Sequence, residues 1–176
     1  MEAAKKSNIY ELFDRNTQSF IYNNQVSATQ RMLDFDYVAG RETPSVAAII
    51  NPTGSDSFSK FFFGKREILI PMYKTLEKAA KMHPNVDVMI NFASLRSAAP
   101  STEEALSIPQ IRTIVIIAEG VPERRMKLLT AKSKALGKVI IGPATVGGVK
   151  AGCFKIGNAG GTIENIINPS FTDPVL

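Results

Sequence analysis

The run Thr113–Ala118 (TIVIIA) is apolar at nearly every position. A strand with one face in water alternates apolar and polar residues, whereas a run that is apolar throughout needs cover on both faces. Such strands belong in a parallel sheet between two layers of helices. Similar short runs recur at Ser19–Asn23 (SFIYN), Ser45–Asn51 (SVAAIIN), Val86–Asn91 (VDVMIN) and Val139–Ile141, with Glu67–Ile70 as a shorter candidate. Between them lie helix-like segments: Ser27–Ala39 with a Ser27 or Thr29 cap, and Thr75–His83 stopped by Pro84. Two more are Ser101–Ser107 opened by a Ser101–Glu104 capping box, and Pro122–Leu136 stopped by Gly137. The segment TGSDSFSKFFFGK, residues 53–65, reads as a polar, glycine-bearing loop with an aromatic centre. Strand and helix in alternation predict an α/β fold, doubly wound around a mainly parallel sheet.

At 176 residues and 44% hydrophobic, the chain fits one domain with a sizeable core. No apolar run approaches the length of a membrane span, and MEAAKKSNIYELF lacks the apolar centre of a signal peptide. The expectation is a soluble, cytoplasmic protein with no membrane partner. A single cysteine, Cys153, and a single histidine, His83, offer neither a disulfide nor a zinc set, so no metal site is expected. The methionines Met32, Met72, Met82, Met89 and Met126 fall on apolar faces and read as core. The net charge of +5 comes from Lys and Arg interspersed with Asp and Glu. That predicts no nucleic-acid partner and leaves a solvated surface or a small polyanionic ligand.

In a doubly wound sheet, ligands lie beyond the carboxyl ends of the strands. Behind Asn91 stands FASLRSAAP, where Ser94, Arg96 and Ser97 join a strand to a helix. A guanidinium between hydroxyls suits a phosphate and equally suits a surface carboxylate. Glu119, in AEGVP, opens a helix and fits both a structural cap and a ligand acceptor. Lys60 stands among Phe58, Phe61, Phe62 and Phe63, which fits core packing as well as contact with an adenine. The stretch IIGPATVGGVKAGCFKIGNAGG, Ile140–Gly161, holds seven glycines in 22 residues. It follows no GxGxxG or GxxxxGK[ST] pattern, and both a phosphate cradle and tight turn geometry fit it.

Five ordered motifs carry a resemblance: LDFDYVAGRETPSVAAIINP (Leu33–Pro52), EILIP (Glu67–Pro71), INFASLRSA (Ile90–Ala98), IIAEGVPE (Ile116–Glu123) and the glycine-rich stretch from Ile140 to Gly161. Together they closely resemble the coenzyme-A-binding domain of the ATP-citrate lyase family, from about Leu12 to Ile167. More distantly, they resemble the first domain of the alpha subunit of succinyl-CoA synthetase. The resemblance implies a Rossmann-like domain of the CoA-binding type over residues 16–167, with an N-terminal extension, 1–15, and a divergent tail, 168–176.

The implied chemistry is that of the lyase family: ATP, citrate and coenzyme A give acetyl-CoA, oxaloacetate, ADP and phosphate. Here the chain would supply the coenzyme A site beside citrate or citryl-CoA. ATP and magnesium would enter only through other domains or subunits, so the chain alone is not expected to complete the reaction, and no catalytic residue is assigned. The family's contacts carry over to Ser94 and Arg96 for phosphate and to Ile117, Ala118, Glu119 and Gly120 for the coenzyme. They also carry over to Gly142, Pro143, Ala144 and Thr145 for the lining loop, with Lys60 and Phe63 added. Where the synthetases have a glycine-rich first loop, this chain has NNQVSATQ, residues 23–30. The alternatives are a fragment of a succinyl-type acyl-CoA ligase and a non-enzymatic sensor of coenzyme A or a dinucleotide.

Overall fold

The computed structural model describes residues 11–161, so the expected terminal boundaries at 167 and 168 lie outside the described residues. Nine strands and four helices are present among them. The strands are β1 (Ser19–Tyr22), β2 (Val46–Ile50), β3 (Ser57–Phe63), β4 (Arg66–Tyr73), β5 (Val88–Asn91), β6 (Thr113–Ile116), β7 (Val139–Ile141), β8 (Gly147–Lys150) and β9 (Phe154–Gly157). The helices are α1 (Val26–Val38), α2 (Leu76–Met82), α3 (Leu95–Ser107) and α4 (Glu123–Ala135). Seven strands form one sheet in the order β3-β4-β2-β1-β5-β6-β7. All its pairings are parallel except that of the edge strand β3 with β4.

Side chains alternate across each strand, so neighbours enter different cores. Phe20 joins Ile50, Met89 and Ile114 beneath α2, α3 and α4. Ile21 joins Ile49, Ile90 and Val115 with Met32 and Leu33 of α1 and with Phe154 and Ile156 of β9. Every residue of β6 is buried, as its unbroken apolar run predicts. The doubly wound architecture is thus present, with the antiparallel β8–β9 hairpin beside α1 completing one face.

Four local expectations change. Residues 57–63 form a strand rather than a loop, joined to β4 through Gly64 and Lys65, with Gly64 at φ +61°. The first helix is preceded by Gln25 with no side-chain cap, so neither Ser27 nor Thr29 serves as one. The third begins at Leu95, not Ser101, and passes through Pro100. Ser101 sits mid-helix, its hydroxyl donating to the Ser97 carbonyl at 2.7 Å, so the capping box does not form. Met82, expected in the core, is 61% exposed at the end of α2.

Candidate functional site

The carboxyl ends of β1, β2, β4, β5, β6 and β7 share one edge of the sheet, and the segments leaving them interlock. Asn23, in left-handed conformation at φ 74°, donates from Nδ2 to the Phe92 carbonyl at 3.3 Å, joining the β1 and β5 ends. Asn91 ends β5 fully buried. Its Nδ2 donates to the Ala98 carbonyl and to the Ser101 and Thr102 hydroxyls, while its Oδ1 accepts from the Ala93 N–H at 2.9 Å. One amide side chain thereby fixes the turn that presents Ser94 and Arg96. Both are exposed at the start of α3, and Ser94 Oγ lies 3.5 Å from Ser97 Oγ without capping the helix.

Past β6, Ile117 and Ala118 are half-buried and Glu119 and Gly120 exposed, Gly120 having φ +72°. A Cβ on Gly120 would lie 3.7 Å from Leu95, which puts this segment against the first turn of α3. Past β7, the Ala144 N–H donates to the Ala118 carbonyl at 3.0 Å, so the β6 and β7 segments are bonded to each other. Gly142 has φ +96° across a cis Gly142–Pro143 bond, and a Cβ there would meet the Ile116 carbonyl oxygen at 2.4 Å. Only glycine fits that approach. The Thr145 hydroxyl is engaged in the following turn, accepting from the Gly147 N–H at 3.1 Å. The glycine stretch therefore combines a tight bend at the sheet end with a hairpin that returns to α1.

Ten of the twelve expected residues are brought together by these contacts. Lys60 and Phe63 are not. Lys60 sits in the middle of the edge strand, paired with Glu67 at 3.1 Å and largely exposed. Phe63 is buried edge-on against Tyr37 and pairs with Arg66 at the amino end of β4, at the opposite end of the sheet. The cause is the antiparallel course of β3, which reverses the direction assumed for a loop.

Helix termini set the electrostatics of the candidate site. The first four N–H groups of a helix lack intrahelical partners and attract anions unless capped. Thr75 caps α2 by accepting from the Lys78 N–H. No side chain caps α1, α3 or α4. Glu104 approaches α2 as well, accepting from the Leu76 N–H and the Tyr22 hydroxyl; burial outweighs both bonds and pushes its carboxyl upward. Burial, then the Glu104 charge, raises Tyr22 in turn. Among the described residues no cluster of His, Cys, Asp and Glu suits a metal ion, and no helix is long and apolar enough to cross a membrane.

Asn23, Asn91 and Glu104 were missed by the sequence reading. A polar residue ending an apolar run is the visible signal for the two asparagines, while the Glu104 contact depends on how α2 and α3 pack.

The probable ATP-citrate synthase subunit 1 of Schizosaccharomyces pombe is 59% identical over 158 residues, which cover 90% of this chain and 26% of that protein. The solved structure of ATP citrate lyase from Methanothrix soehngenii, in complex with citrate and coenzyme A, is 55% identical with a TM-score of 0.85. It matches over 89% of this chain and 25% of that one. A mutant Methanosaeta concilii ATP citrate lyase in complex with (3S)-citryl-CoA matches with the same identity, coverage and TM-score. The chain thus spans about a quarter of the length of these relatives. A family model described as CoA binding domain matches residues 23–120, from the left-handed Asn23 to the left-handed Gly120. That span contains the uncapped starts of α1 and α3 and the fixed turn between β5 and α3, and by it the chain belongs to the CoA-binding domain family.

Proposed function

We propose that this chain is the coenzyme-A-binding portion of a cytoplasmic ATP-citrate lyase, with residues 16–167 as its domain. In that enzyme ATP, citrate and coenzyme A give acetyl-CoA, oxaloacetate, ADP and phosphate, and other domains or subunits supply the sites for ATP and magnesium. The 55% identity to an ATP citrate lyase in complex with citrate and coenzyme A is the observation that carries the reading. The local chemistry supports it. Three uncapped helix starts offer N–H donors to phosphate groups. In this reading Ser94 and Arg96 add a hydroxyl and a charge-assisted fork, Ile117–Gly120 give main-chain contacts, and Gly142–Thr145 line the coenzyme's path. Lys60 and Phe63 are left out on the placement described above.

The test is calorimetric titration of the 176-residue chain with coenzyme A and, separately, with NADH. Coenzyme A is expected to bind and NADH not. Arg96→Ala is expected to weaken coenzyme A by about 1.5–3 kcal/mol, the range for a hydrogen bond to a charged group. NADH binding without coenzyme A binding would favour a dinucleotide sensor, and an unchanged affinity in Arg96→Ala would remove that residue from the site.

A further inference from the structure

The chain's net positive charge gathers in one segment. Residues 123–138, α4 with the turn behind it, hold Arg124, Arg125, Lys127, Lys132, Lys134 and Lys138 against a single acid, Glu123. This one segment carries a net +5, equal to that of the whole chain, so the rest of the sequence sums to zero.

The helix has one buried row and one exposed row. Met126, Leu129 and Ser133, at i, i+3 and i+7, are buried beneath α4. Leu128, Ala131 and Ala135 repeat that spacing two positions on, about 200° away around the axis at 3.6 residues per turn, and all three are exposed. Leu128 is 65% exposed and Leu136, one turn past Lys132, 50% exposed. Lys127 and Lys134 flank the outer row on one side, and Arg125 and Lys132 flank it on the other. Lys127 and Lys132 make exposed ion pairs with Glu123 and Glu103, whereas Arg124, Arg125 and Lys134 have no ion-pair partner among the described residues.

We propose that the outer face of α4 is a docking surface for an acidic amphipathic helix of a protein partner, one with leucine-like residues in a row between glutamates or aspartates. Charge complementarity selects an acidic partner, and the central apolar row selects protein. A nucleic acid would leave Leu128 unmatched and finds no aromatic platform for its bases. A lipid surface needs a deeper apolar face than one leucine and two alanines, and Met126 and Leu129 already commit the other side of α4 to the sheet.

The test uses the full chain and, as probe, a labelled 15-residue helical peptide with leucines at i, i+3 and i+7 flanked by glutamates. Polyglutamate of equal charge, vesicles containing phosphatidylserine and a 15-nucleotide single-stranded RNA serve as comparisons. The peptide is expected to bind with a Kd on the order of tens of micromolar. The pair Lys127→Glu/Lys134→Glu is expected to weaken it about tenfold or more, and Leu128→Ser about fivefold. Coenzyme A affinity and thermal midpoint should stay unchanged in both variants. Equal binding of peptide and polyglutamate, indifference to Leu128→Ser, or tighter binding of vesicles or RNA would each overturn the proposal.

Discussion

Asp36 and Arg41 are both buried, and their side chains approach at 3.3 Å between Oδ1 and Nε. Arg41 also donates to the carbonyls of Thr17, Thr43, Asp14 and Cys153, while Asp36 Oδ2 accepts from the Ser45 N–H at 2.7 Å. Burial pushes the Asp36 carboxyl up to about 6 against the lowering pull of Ser45 and Arg41. Removing one partner of a buried pair leaves a charge without compensation. Arg41→Met should therefore cost about 3–5 kcal/mol in urea unfolding. The double variant Asp36→Asn/Arg41→Met should recover part of the loss, because the stranded charge is gone.

At the scale of elements, legibility followed hydrophobic pattern. β6 and β7 stood out as continuous apolar runs, and Gly137 marked the end of α4 with φ +66° as a helix stop requires. β3 did not, because Phe61, Phe62 and Phe63 erase the two-residue alternation: Phe61 and Phe63 turn inward while Phe58 and Phe62 stay 69% and 53% exposed. Pro100 hid the first turns of α3. It lies on the exposed side, where water can take the carbonyl that a proline leaves without a donor. The candidate site was legible where small residues follow strands, at Ser94, Glu119–Gly120 and Gly142–Thr145. Lys60 was misplaced because a strand's direction depends on pairing that local composition does not encode. The β8–β9 hairpin was hidden by its own glycines. At Gly147 φ is +113° and a Cβ would stand 1.9 Å from the Ile156 carbonyl oxygen. Gly147→Ala should lower stability by about 1–3 kcal/mol, the cost of a residue held in strained conformation. Thermal unfolding measures that loss, and hydrogen exchange should show faster opening at residues 147–157.

At the scale of the whole molecule, the single histidine makes one separable contribution to pH dependence. His83 Nε2 lies 3.3 Å from the Tyr73 hydroxyl, and the ring packs edge-on to Phe20. Burial holds His83 below its ordinary value of 6.5. The unfolded chain therefore takes up this proton first as pH falls, so the stability tied to neutral His83 is present above about pH 6.5 and is lost as pH drops through the folded value. Thermal midpoints from pH 7.5 to 5 should fall more steeply for the native chain than for His83→Gln; parallel curves would locate the acid sensitivity elsewhere. At the far end of the sheet, Lys150 donates to the Phe13 carbonyl, Arg15 to that of Gly152 and Arg41 to that of Cys153. These ties join segments 112 to 137 residues apart in sequence. During synthesis the early half of each tie leaves the ribosome long before the hairpin does. The hairpin is therefore fastened late, to a segment that has already waited through more than a hundred residues of synthesis.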